Sequence, residues 1–285
     1  MVVVTLSVCI LTKDEEENLP RCLGSLEGLG ARLLVLDSHS TDRTREIAQE
    51  AGALVFEEDW RGMAAQRDRC LELEAERLGS DWVLCLDADE WLDDRLQREL
   101  ASFVRGDAPD GPVGYELNRR TFYLGAWIDH CGWSPEWRLR LVRAGVAQAS
   151  GSDTHDQLDV RGSVGRLGRQ GGRRGGARLN HRPYRDLHAH LVKVNRYSGE
   201  IADWSHARGQ RGTVAKLLLR PPVRFVRMFV LKHGYLDGWR GFVVSAMGGL
   251  YVFLKYAKLI ERGCAHRAAP GSGAPLRASR PGEPR

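Results

Sequence analysis

The first half of the chain alternates short apolar runs with polar or amphipathic segments. The apolar runs, rich in β-branched residues, predict buried strands, and the longer segments between them predict helices. The predicted strands cover residues 2–12, 33–37, 52–56 and 83–87, and the predicted helices cover residues 18–29, 41–51 and 63–79. This alternation predicts an α/β fold with a mostly parallel sheet and right-handed crossovers. Such sheets bind ligands beyond the carboxyl ends of their strands.

Acidic residues follow three of the predicted strands at that edge of the sheet. Asp14 and Glu15 come after the first strand, and Asp37 ends the second. Asp87 and Asp89 stand two positions apart after the last strand, and on an extended strand such side chains point the same way. Both carboxylates could then face one divalent cation that also binds phosphates, as Mg2+ and Mn2+ do at nucleotide sites. A solvated acidic strand end is the alternative interpretation.

Three motifs in this order resemble those of the family 2 inverting glycosyltransferases, which have the GT-A fold. They are Thr-Lys-Asp-Glu-Glu at 12–16, Leu-Asp-Ser-x-Ser-Thr-Asp at 36–42 and Leu-Asp-Ala-Asp-Glu at 86–90. With Gly-Tyr-Leu-Asp-Gly at 234–238, the pattern is similar to the subgroup that adds hexose to the inner core of bacterial lipopolysaccharide. The resemblance implies a Rossmann-like sheet flanked by helices, with a C-terminal amphipathic helical extension. No glycine-rich phosphate loop follows the first strand, which argues against dinucleotide enzymes and P-loop NTPases.

The resemblance implies a nucleotide site at the first two strand ends. Thr12, Asp14 and Glu15 match the loop that cradles the base and ribose, although the family usually has Asn where Asp14 stands. Asp37 matches the carboxylate that accepts the uracil imide hydrogen. The implied donor is therefore a UDP-sugar.

The resemblance also implies a diphosphate and metal site. Gln66 and Arg67 match a polar–basic pair that reaches the donor, and a guanidinium suits a diphosphate. Asp89 matches the ligand of Mg2+ or Mn2+, with Asp87 on the sugar or ribose side. Both residues would therefore contact the donor side of the reaction.

An inverting transfer needs a base that deprotonates the acceptor hydroxyl. The resemblance places this base at Asp156, where the subgroup usually has Glu, and Asp153 and His155 are its rivals. His155 could bind the metal, orient Asp156 or have a structural role. For the downstream histidines, including His181 and His190, we expect hydrogen-bonding roles on the acceptor side rather than metal binding.

Basic residues concentrate in the C-terminal part of the chain. From His206 onward there are fifteen Lys and Arg against three acidic residues, whereas the preceding part carries 27 basic and 34 acidic residues. Cations interleave with bulky apolar residues over 214–232, a pattern typical of helices lying on an anionic membrane surface. Helices that cover the catalytic domain with solvated cations outside are the alternative. Nucleic acid is disfavoured as a partner, because the cations are mixed with apolar bulk.

A second apolar run, residues 241–254 between Arg240 and Lys255, is shorter than the roughly 20 residues of a spanning helix. We therefore expect peripheral association rather than a membrane span. The six scattered cysteines and the absence of a signal-like start favour the cytoplasm, at the inner face of the cell membrane.

These patterns predict four regions and one activity. The regions are a catalytic domain with donor and metal site at 1–160, a basic Gly-rich connection and acceptor-side segment at 161–204, a membrane-associating region at 205–262 and a disordered tail at 263–285. The activity is inverting transfer of a hexose, glucose by expectation, from a UDP-sugar to a lipopolysaccharide inner-core sugar or related lipid-linked glycan acceptor. A polyprenyl-phosphate sugar transferase, a nucleotidyltransferase and a catalytically inactive membrane-bound scaffold are the alternatives.

Overall fold

A computed structural model of the chain describes residues 4–107, 111–152, 155–168 and 176–268, with the backbone alone at 107, 151, 152, 155, 156 and 265–268. The strands are β1 Leu6–Thr12, β2 Arg32–Asp37, β3 Leu54–Glu57, β4 Trp82–Asp87, β5 Glu90–Leu92, β6 Gly114–Tyr123, β7 Ala126–Ile128, β8 Glu136–Arg143, β9 Ala147–Ser152, β10 His155–Val160, β11 Val164–Arg166 and β12 Leu179–His181. The helices are α1 Leu19–Gly24, α2 Thr44–Glu50, α3 Met63–Arg77, α4 Asp94–Ser102, α5 Leu187–Ala207, α6 Val214–Val226 and α7 Gly238–Ala268.

One large sheet organises the described part of the chain, in the order β3-β2-β1-β4-β8-β6-β12-β5. Its first four strands are parallel, and β8 joins β4 in the antiparallel sense. β11 and β12 pair in parallel with β6, so the sheet includes residues beyond position 160. The predicted α/β architecture is confirmed, with antiparallel pairs added at one end.

Burial on both faces explains why β1 reads as a continuous apolar run. All seven of its residues are buried. Val8 and Ile10 pack into a core with α1 and α4, whereas Cys9 and Leu11 pack into a second core with Cys70 of α3. Alternate side chains of a strand point to opposite faces, so both faces must be covered by helices. This sandwich fixes the carboxyl ends of β1, β2 and β4 at one edge.

The three C-terminal helices form a separate layer attached to the far end of the sheet. Met228 and Val244 pack against Tyr123 and Ile128 of the sheet region. The Asp237 carboxylate, 5% exposed, accepts hydrogen bonds from the backbone N–H groups of Asp129 (3.2 Å) and His130 (2.9 Å). This buried carboxylate thus fastens the layer to the loop between β7 and β8, beside the bond from the Cys131 N–H to the Lys232 carbonyl (3.0 Å).

Helix α7 is longer than the sequence predicts. It runs for 31 residues, Gly238–Ala268, and is apolar and long enough to cross a membrane by length and composition alone. The expectation that no helix reaches spanning length was wrong, because the counted run stopped at Lys255 while the helix continues past it. Residues 263–268 are helical, and the rest of the predicted tail, 269–285, lies outside the described residues.

Candidate active site

The loops after β1 and β2 meet at a buried carboxylate. Asp37 ends β2 and is fully buried. It accepts hydrogen bonds from the Thr12 hydroxyl (2.8 Å), from the Ser40 hydroxyl (2.5 Å) and from the Ser40 backbone N–H (2.8 Å). The parallel register of β1 and β2 pairs Thr12 with Asp37, which is why two residues distant in sequence come together. The structure therefore joins two of the predicted donor-binding residues.

Asp14, in the loop after β1, also bonds the loop after β2. Its backbone has a left-handed φ of 52°, its N–H donates to the Ser40 hydroxyl (2.8 Å), and its carboxylate accepts from the Thr41 N–H (2.7 Å). A short acidic side chain tolerates that backbone conformation better than most residues. Asp14 therefore shapes the loop in addition to any contact with a ligand.

Glu15 lies in the loop after β1 and interacts electrostatically with the aspartates at the end of β4. Its carboxylate accepts a hydrogen bond from the Asn18 amide (2.7 Å). Burial, together with the negative charge of Asp89, raises the pKa of Glu15 to about 7. Asp89 near the end of β4 thus acts electrostatically on a residue of the loop after β1.

Asp87 and Asp89 do not share one extended strand, in contrast to the prediction. β4 ends at Asp87, and Asp89 lies in the turn before β5. The Asp87 carboxylate accepts from the Arg67 guanidinium (2.6 Å) and the Arg140 guanidinium (2.7 Å). Burial alone would raise the pKa of Asp87, but these arginines outweigh burial and hold the pKa well below its usual range. Asp87 is therefore ionised and firmly oriented.

Asp89 instead faces His181 of β12. The His181 Nε2 lies 3.5 Å from the Asp89 Oδ2. Within the described residues, the buried Asp89 Oδ1 and His181 Nδ1 have no hydrogen-bond partner. Burial opposes ionisation of Asp89, but the His181 imidazole outweighs it and lowers the pKa of the carboxyl. The Asp89 Oδ2 and the His181 Nε2 thus face each other at the outer limit of a hydrogen bond, whereas the partnerless Nδ1 points away from Asp89 on the other side of the ring.

This pair fits a divalent cation that shares its coordination with a ligand. Over the described ranges, no group of three His, Cys, Asp or Glu side chains forms a closed metal cage. Mg2+ and Mn2+ commonly take one or two protein ligands and complete their coordination with phosphate oxygens and water. Asp89 and His181 are the residues that would hold such an ion. For His181 the sequence predicted hydrogen bonding rather than metal binding, since its only local signal was its place in the three-residue stretch Leu179–His181.

A buried ionic network supports Asp87 at the end of β4. Glu90 is fully buried and accepts from Arg119 (2.9 Å) and Arg140 (2.8 Å), and Arg119 also pairs with Glu136 (2.9 Å). Because Arg140 bonds both Asp87 and Glu90, the end of β4, the start of β5 and β8 are held together. Removal of one charge would leave a buried partner uncompensated.

Gln66 and Arg67 are fully buried at the start of α3. The Gln66 amide donates to the Ser38 hydroxyl (3.3 Å), and Arg67 donates to Asp87 and to the Leu86 carbonyl (3.3 Å). Both predicted residues therefore lie at the site, but the contacts shown for Arg67 are with the strand end that carries Asp87. Direct contact with a diphosphate stays a prediction.

Helix α5 adds a cation and aromatic rings to the same region. The Lys193 ammonium donates to the Pro183 carbonyl (2.8 Å) and lies 5.3 Å from the centre of the Tyr184 ring. Tyr184 stacks on His190 at 4.0 Å, and the Tyr123 hydroxyl lies 2.7 Å from the His190 Nδ1. Burial lowers the pKa of His190 to about 4, so this imidazole is neutral at pH 7. His190 therefore has the hydrogen-bonding role that the sequence suggests.

The predicted base lies on a separate hairpin. Strand β10 carries His155 and Asp156 and pairs with β9 in the register Asp156 to Gly151. The side chains of both residues, and all of Asp153, lie outside the described part of the chain. Residues 157–160 of β10 line a cleft of about 630 Å³ together with Trp137, Arg138, Arg140 and Arg166. Arg140 belongs both to this cleft and to the network around Asp87.

Comparison with known proteins identifies the family. The family described as "Glycosyl transferase family 2" matches residues 7–138. The chain is 32% identical, over 90% of its length and 92% of the relative, to "Lipopolysaccharide core biosynthesis glycosyltransferase LpsC" of Rhizobium meliloti (strain 1021). This chain belongs to glycosyltransferase family 2. An uncharacterized glycosyltransferase of Rickettsia typhi is 28% identical over 90% of this chain and 87% of its own length.

A solved structure agrees at the level of the fold. The mannosyltransferase PcManGT of Pyrobaculum calidifontis, determined in complex with GDP-Man and Mn2+, superposes with a TM-score of 0.50 at 12% identity, over 91% of this chain and 88% of that one. The predicted family, GT-A fold class and enzyme class are confirmed: this family 2 protein is a glycosyltransferase.

Proposed function

We propose that this family 2 glycosyltransferase transfers a hexose, glucose in the first instance, from a UDP-sugar to a lipopolysaccharide inner-core sugar or related lipid-linked glycan, with inversion. The observation that carries the proposal is the largely buried Asp89–His181 pair, in which the Asp89 Oδ2 and the His181 Nε2 face each other at 3.5 Å and the Asp89 Oδ1 has no partner among the described residues. The similarity to the lipopolysaccharide core enzyme LpsC over most of both chains supports the class of acceptor.

Thr12, Asp14, Glu15 and Asp37 would bind the uridine. Thr12 and Ser40 fill three of the roughly four acceptor positions of the Asp37 carboxylate, which leaves one for the imide N–H of uracil. Glu15 would accept from ribose hydroxyls in its ionised form, because a carboxylate accepts such bonds more strongly than a neutral acid.

The diphosphate and the sugar would be bound by Asp87, Lys193 and the metal ligands. Bound at Asp89 and His181, Mg2+ or Mn2+ supplies a Lewis acid that neutralises the charge of the departing diphosphate. Lys193 contributes a fixed positive charge nearby, which stabilises the same developing charge. Asp87, held ionised by Arg67 and Arg140, is ready to accept a hydrogen bond from a hydroxyl of the ribose or the transferred sugar.

Asp156 is the proposed base on the acceptor side. It would remove the proton of the acceptor hydroxyl while the nucleotide departs from the opposite face of the sugar. The cleft beside β10 carries Arg138, Arg140 and Arg166, and guanidinium groups suit the phosphates of a charged glycan. Such an acceptor lies in the cytoplasmic membrane, and we place the enzyme peripherally at its inner face.

Calorimetry tests the donor site directly. UDP, UDP-glucose and GDP would be titrated into the wild type and the Asp89→Asn variant, with Mg2+, with Mn2+ and with a chelator. Asp94→Asn, at an exposed position of α4, serves as the matched control. We expect uridine-selective binding that needs a metal ion and weakens at least about 10-fold in Asp89→Asn alone. Absence of nucleotide binding under every condition, or a preference for GDP, would overturn the proposed donor.

Transfer assays test the acceptor class. Core-truncated lipopolysaccharide and a polyprenyl phosphate would be offered with labelled UDP-glucose in the presence of the metal. Product on the truncated lipopolysaccharide supports the proposal. Product on the polyprenyl phosphate alone would instead identify a polyprenyl-phosphate sugar transferase that uses the same donor site.

A further inference from the structure

Helix α6 and the turns after it expose a large apolar surface. No residue of α6 is buried, and Leu218, Leu219 and Val223 are 63%, 65% and 65% exposed. We call this surface the basic apolar face; its exposed apolar members are Val214, Leu218, Leu219, Val223, Val226, Val230, Leu231, Tyr235, Leu236, Trp239 and Phe242. A concentration of exposed apolar side chains of this kind is typical of an interaction site.

Apart from Phe242, the apolar members of this face are additional to those that hold α6 in place. Leu217 packs with Ala202, Tyr256 and Leu259, and Phe225 contacts the Phe242 ring at 5.4 Å. At 100° per residue, Leu219 and Val223 lie on the opposite side of the helix from these inward residues. A helix with apolar side chains on both sides needs a second apolar environment, and the described part of the chain supplies only the inner one.

The positive charge around α6 indicates what kind of surface would cover the basic apolar face. Between Trp204 and Leu236 the chain has seven Lys and Arg and no acidic residue. Lys216, Arg220, Arg224 and Arg227 follow one another at intervals of four, four and three residues, so they form a row along one flank of α6. Arg220 donates to the Tyr256 hydroxyl of α7 (2.7 Å), and the aliphatic stems of the other three can lie along the apolar surface while their charged ends reach outward. A row of cations beside bulky apolar groups matches anionic lipid head groups above acyl chains.

We propose that the basic apolar face docks into the interface of an anionic lipid bilayer, with α6 lying in the plane of the membrane. Trp239 and Tyr235, 59% and 49% exposed, lie at the end of the face, where aromatic rings favour the head-group region. The inference rests on the proposed function, since a lipid-linked acceptor lies in that membrane, and it deepens that function by naming the surface that meets the lipid.

Contacts of α7 favour a helix that lies on the membrane over one that spans it. The Lys258 ammonium bonds the Asn195 side chain (2.8 Å) and the Ser198 hydroxyl (2.9 Å) of α5, and Arg262 pairs with Asp203 (2.9 Å). Insertion of α7 across a bilayer would break these contacts and bury both cations in lipid. α7 therefore acts as the support on which α6 is presented.

Vesicle flotation of the full chain tests this surface. The vesicles would contain phosphatidylcholine alone or with phosphatidylglycerol. The charge variant combines Lys216→Gln, Arg224→Gln and Arg227→Gln, and its control combines Arg43→Gln, Arg61→Gln and Arg98→Gln on the catalytic domain. The apolar variant combines Leu219→Ser with Val223→Ser, and its control combines Leu54→Ser with Val164→Ser, which are exposed to 44% and 45% in the sheet domain.

We expect flotation only with phosphatidylglycerol, and release by high salt and by alkaline carbonate. The charge variant should partition about 100-fold less, at about fivefold for each cation near an anionic surface. The partition coefficient of the apolar variant should be at least about 10-fold lower than that of the wild type. Both controls should float like the wild type. All four variants should bind UDP as the wild type does, which separates failure of this inference from failure of the proposed donor site.

Two results would overturn the inference. Retention in the membrane after carbonate treatment would show that α7 spans the bilayer. Absence of vesicle binding together with a concentration-dependent dimer that the apolar variant loses would show that the face joins two copies of the chain.

Discussion

At the scale of single residues, the proposed metal site contains buried polar atoms that form no hydrogen bond with the described residues. Asp89 Oδ1 and His181 Nδ1 are buried without a partner among the described residues, and leaving such groups unsatisfied costs about 1–3 kcal/mol each. Proteins keep such groups where a ligand or ion repays the cost. Because the His181 Nε2 faces the Asp89 Oδ2 at 3.5 Å, we propose His181, for which the sequence predicted a hydrogen-bonding role, as a partner of Asp89 in metal binding.

The first prediction concerns His181. His181→Ala should weaken metal-dependent UDP binding at least about 10-fold, while residual binding in the presence of a chelator should not change. Isothermal calorimetry with a Mn2+ titration measures both quantities without any turnover. His188→Ala, an exposed histidine of the neighbouring helix, is the control. Equal metal dependence in His181→Ala and the wild type would remove His181 from the site.

The second prediction concerns Glu15 and pH. Its pKa in the folded protein is about 7, above its ordinary 4.5, so the folded state binds this proton more tightly than the unfolded state. Stability is therefore lost as pH rises from about 4.5 to about 7, and Glu15→Gln should remove that loss. The metal-free variant should gain about 1–3 kcal/mol over the wild type at pH 8 and little at pH 4.5, measured by urea unfolding.

A control for Glu15→Gln is Glu27→Gln, an exposed glutamate before β2. A gain that is the same at both pH values would contradict the electrostatic explanation. The same Glu15→Gln variant should bind UDP more weakly, because the neutral amide is a poorer acceptor for ribose hydroxyls than a carboxylate. A stabilised variant with weaker ligand binding is the pattern expected for a residue kept for function.

The third prediction concerns the base. Asp156→Asn should lower kcat by about 10²–10⁴ while UDP binding stays at the wild-type level, because the base acts on the acceptor and not on the donor. Asp153→Asn and His155→Gln, the two rivals in sequence, are the comparison variants. A larger loss of kcat in either rival than in Asp156→Asn would move the base to that residue.

At the scale of elements, the apolar periodicity of the sequence predicts the strands and helices whose formation depends on neighbouring residues. β1, β2 and α3 form where the apolar periodicity placed them, because buried β-branched runs and helical spacing are properties of short segments. The prediction that Asp87 and Asp89 share one extended strand was wrong, because Glu90–Leu92 pairs with Leu179–His181, about ninety positions later. This pairing turns the chain at Asp89. His181 could not be placed from the sequence for the same reason.

The fourth prediction concerns the fastening of the C-terminal layer. Asp237→Ala would leave the N–H groups of Asp129 and His130 without their buried acceptor, at a cost of about 2–4 kcal/mol for the pair. Hydrogen exchange should accelerate in the loop after β7 and at the start of α7, but not in β1 or β4. Asp237→Asn keeps one acceptor oxygen and should lose less. Uniform acceleration throughout the sheet would mean that Asp237 supports the whole fold and not this junction.

At the scale of the whole molecule, charge is separated along the chain. The part before His206 carries seven more acidic than basic residues, and the part from His206 onward carries twelve more basic than acidic residues. An anionic membrane attracts the C-terminal layer and repels the acidic part, which would orient the enzyme with its C-terminal helices toward the lipid.

This separation gives the last prediction. With an acceptor embedded in phosphatidylglycerol vesicles, raising the salt concentration should raise the KM for the acceptor strongly, because exposed cations are screened from the lipid. The KM for the UDP-sugar should change little, because the donor site uses buried groups at close range. A water-soluble fragment of the same glycan acceptor should show weak salt dependence in both constants. Equal salt dependence for the embedded and soluble acceptors would mean that the cations act on the glycan itself, and the arginines of the cleft would replace the C-terminal layer as the source of the attraction.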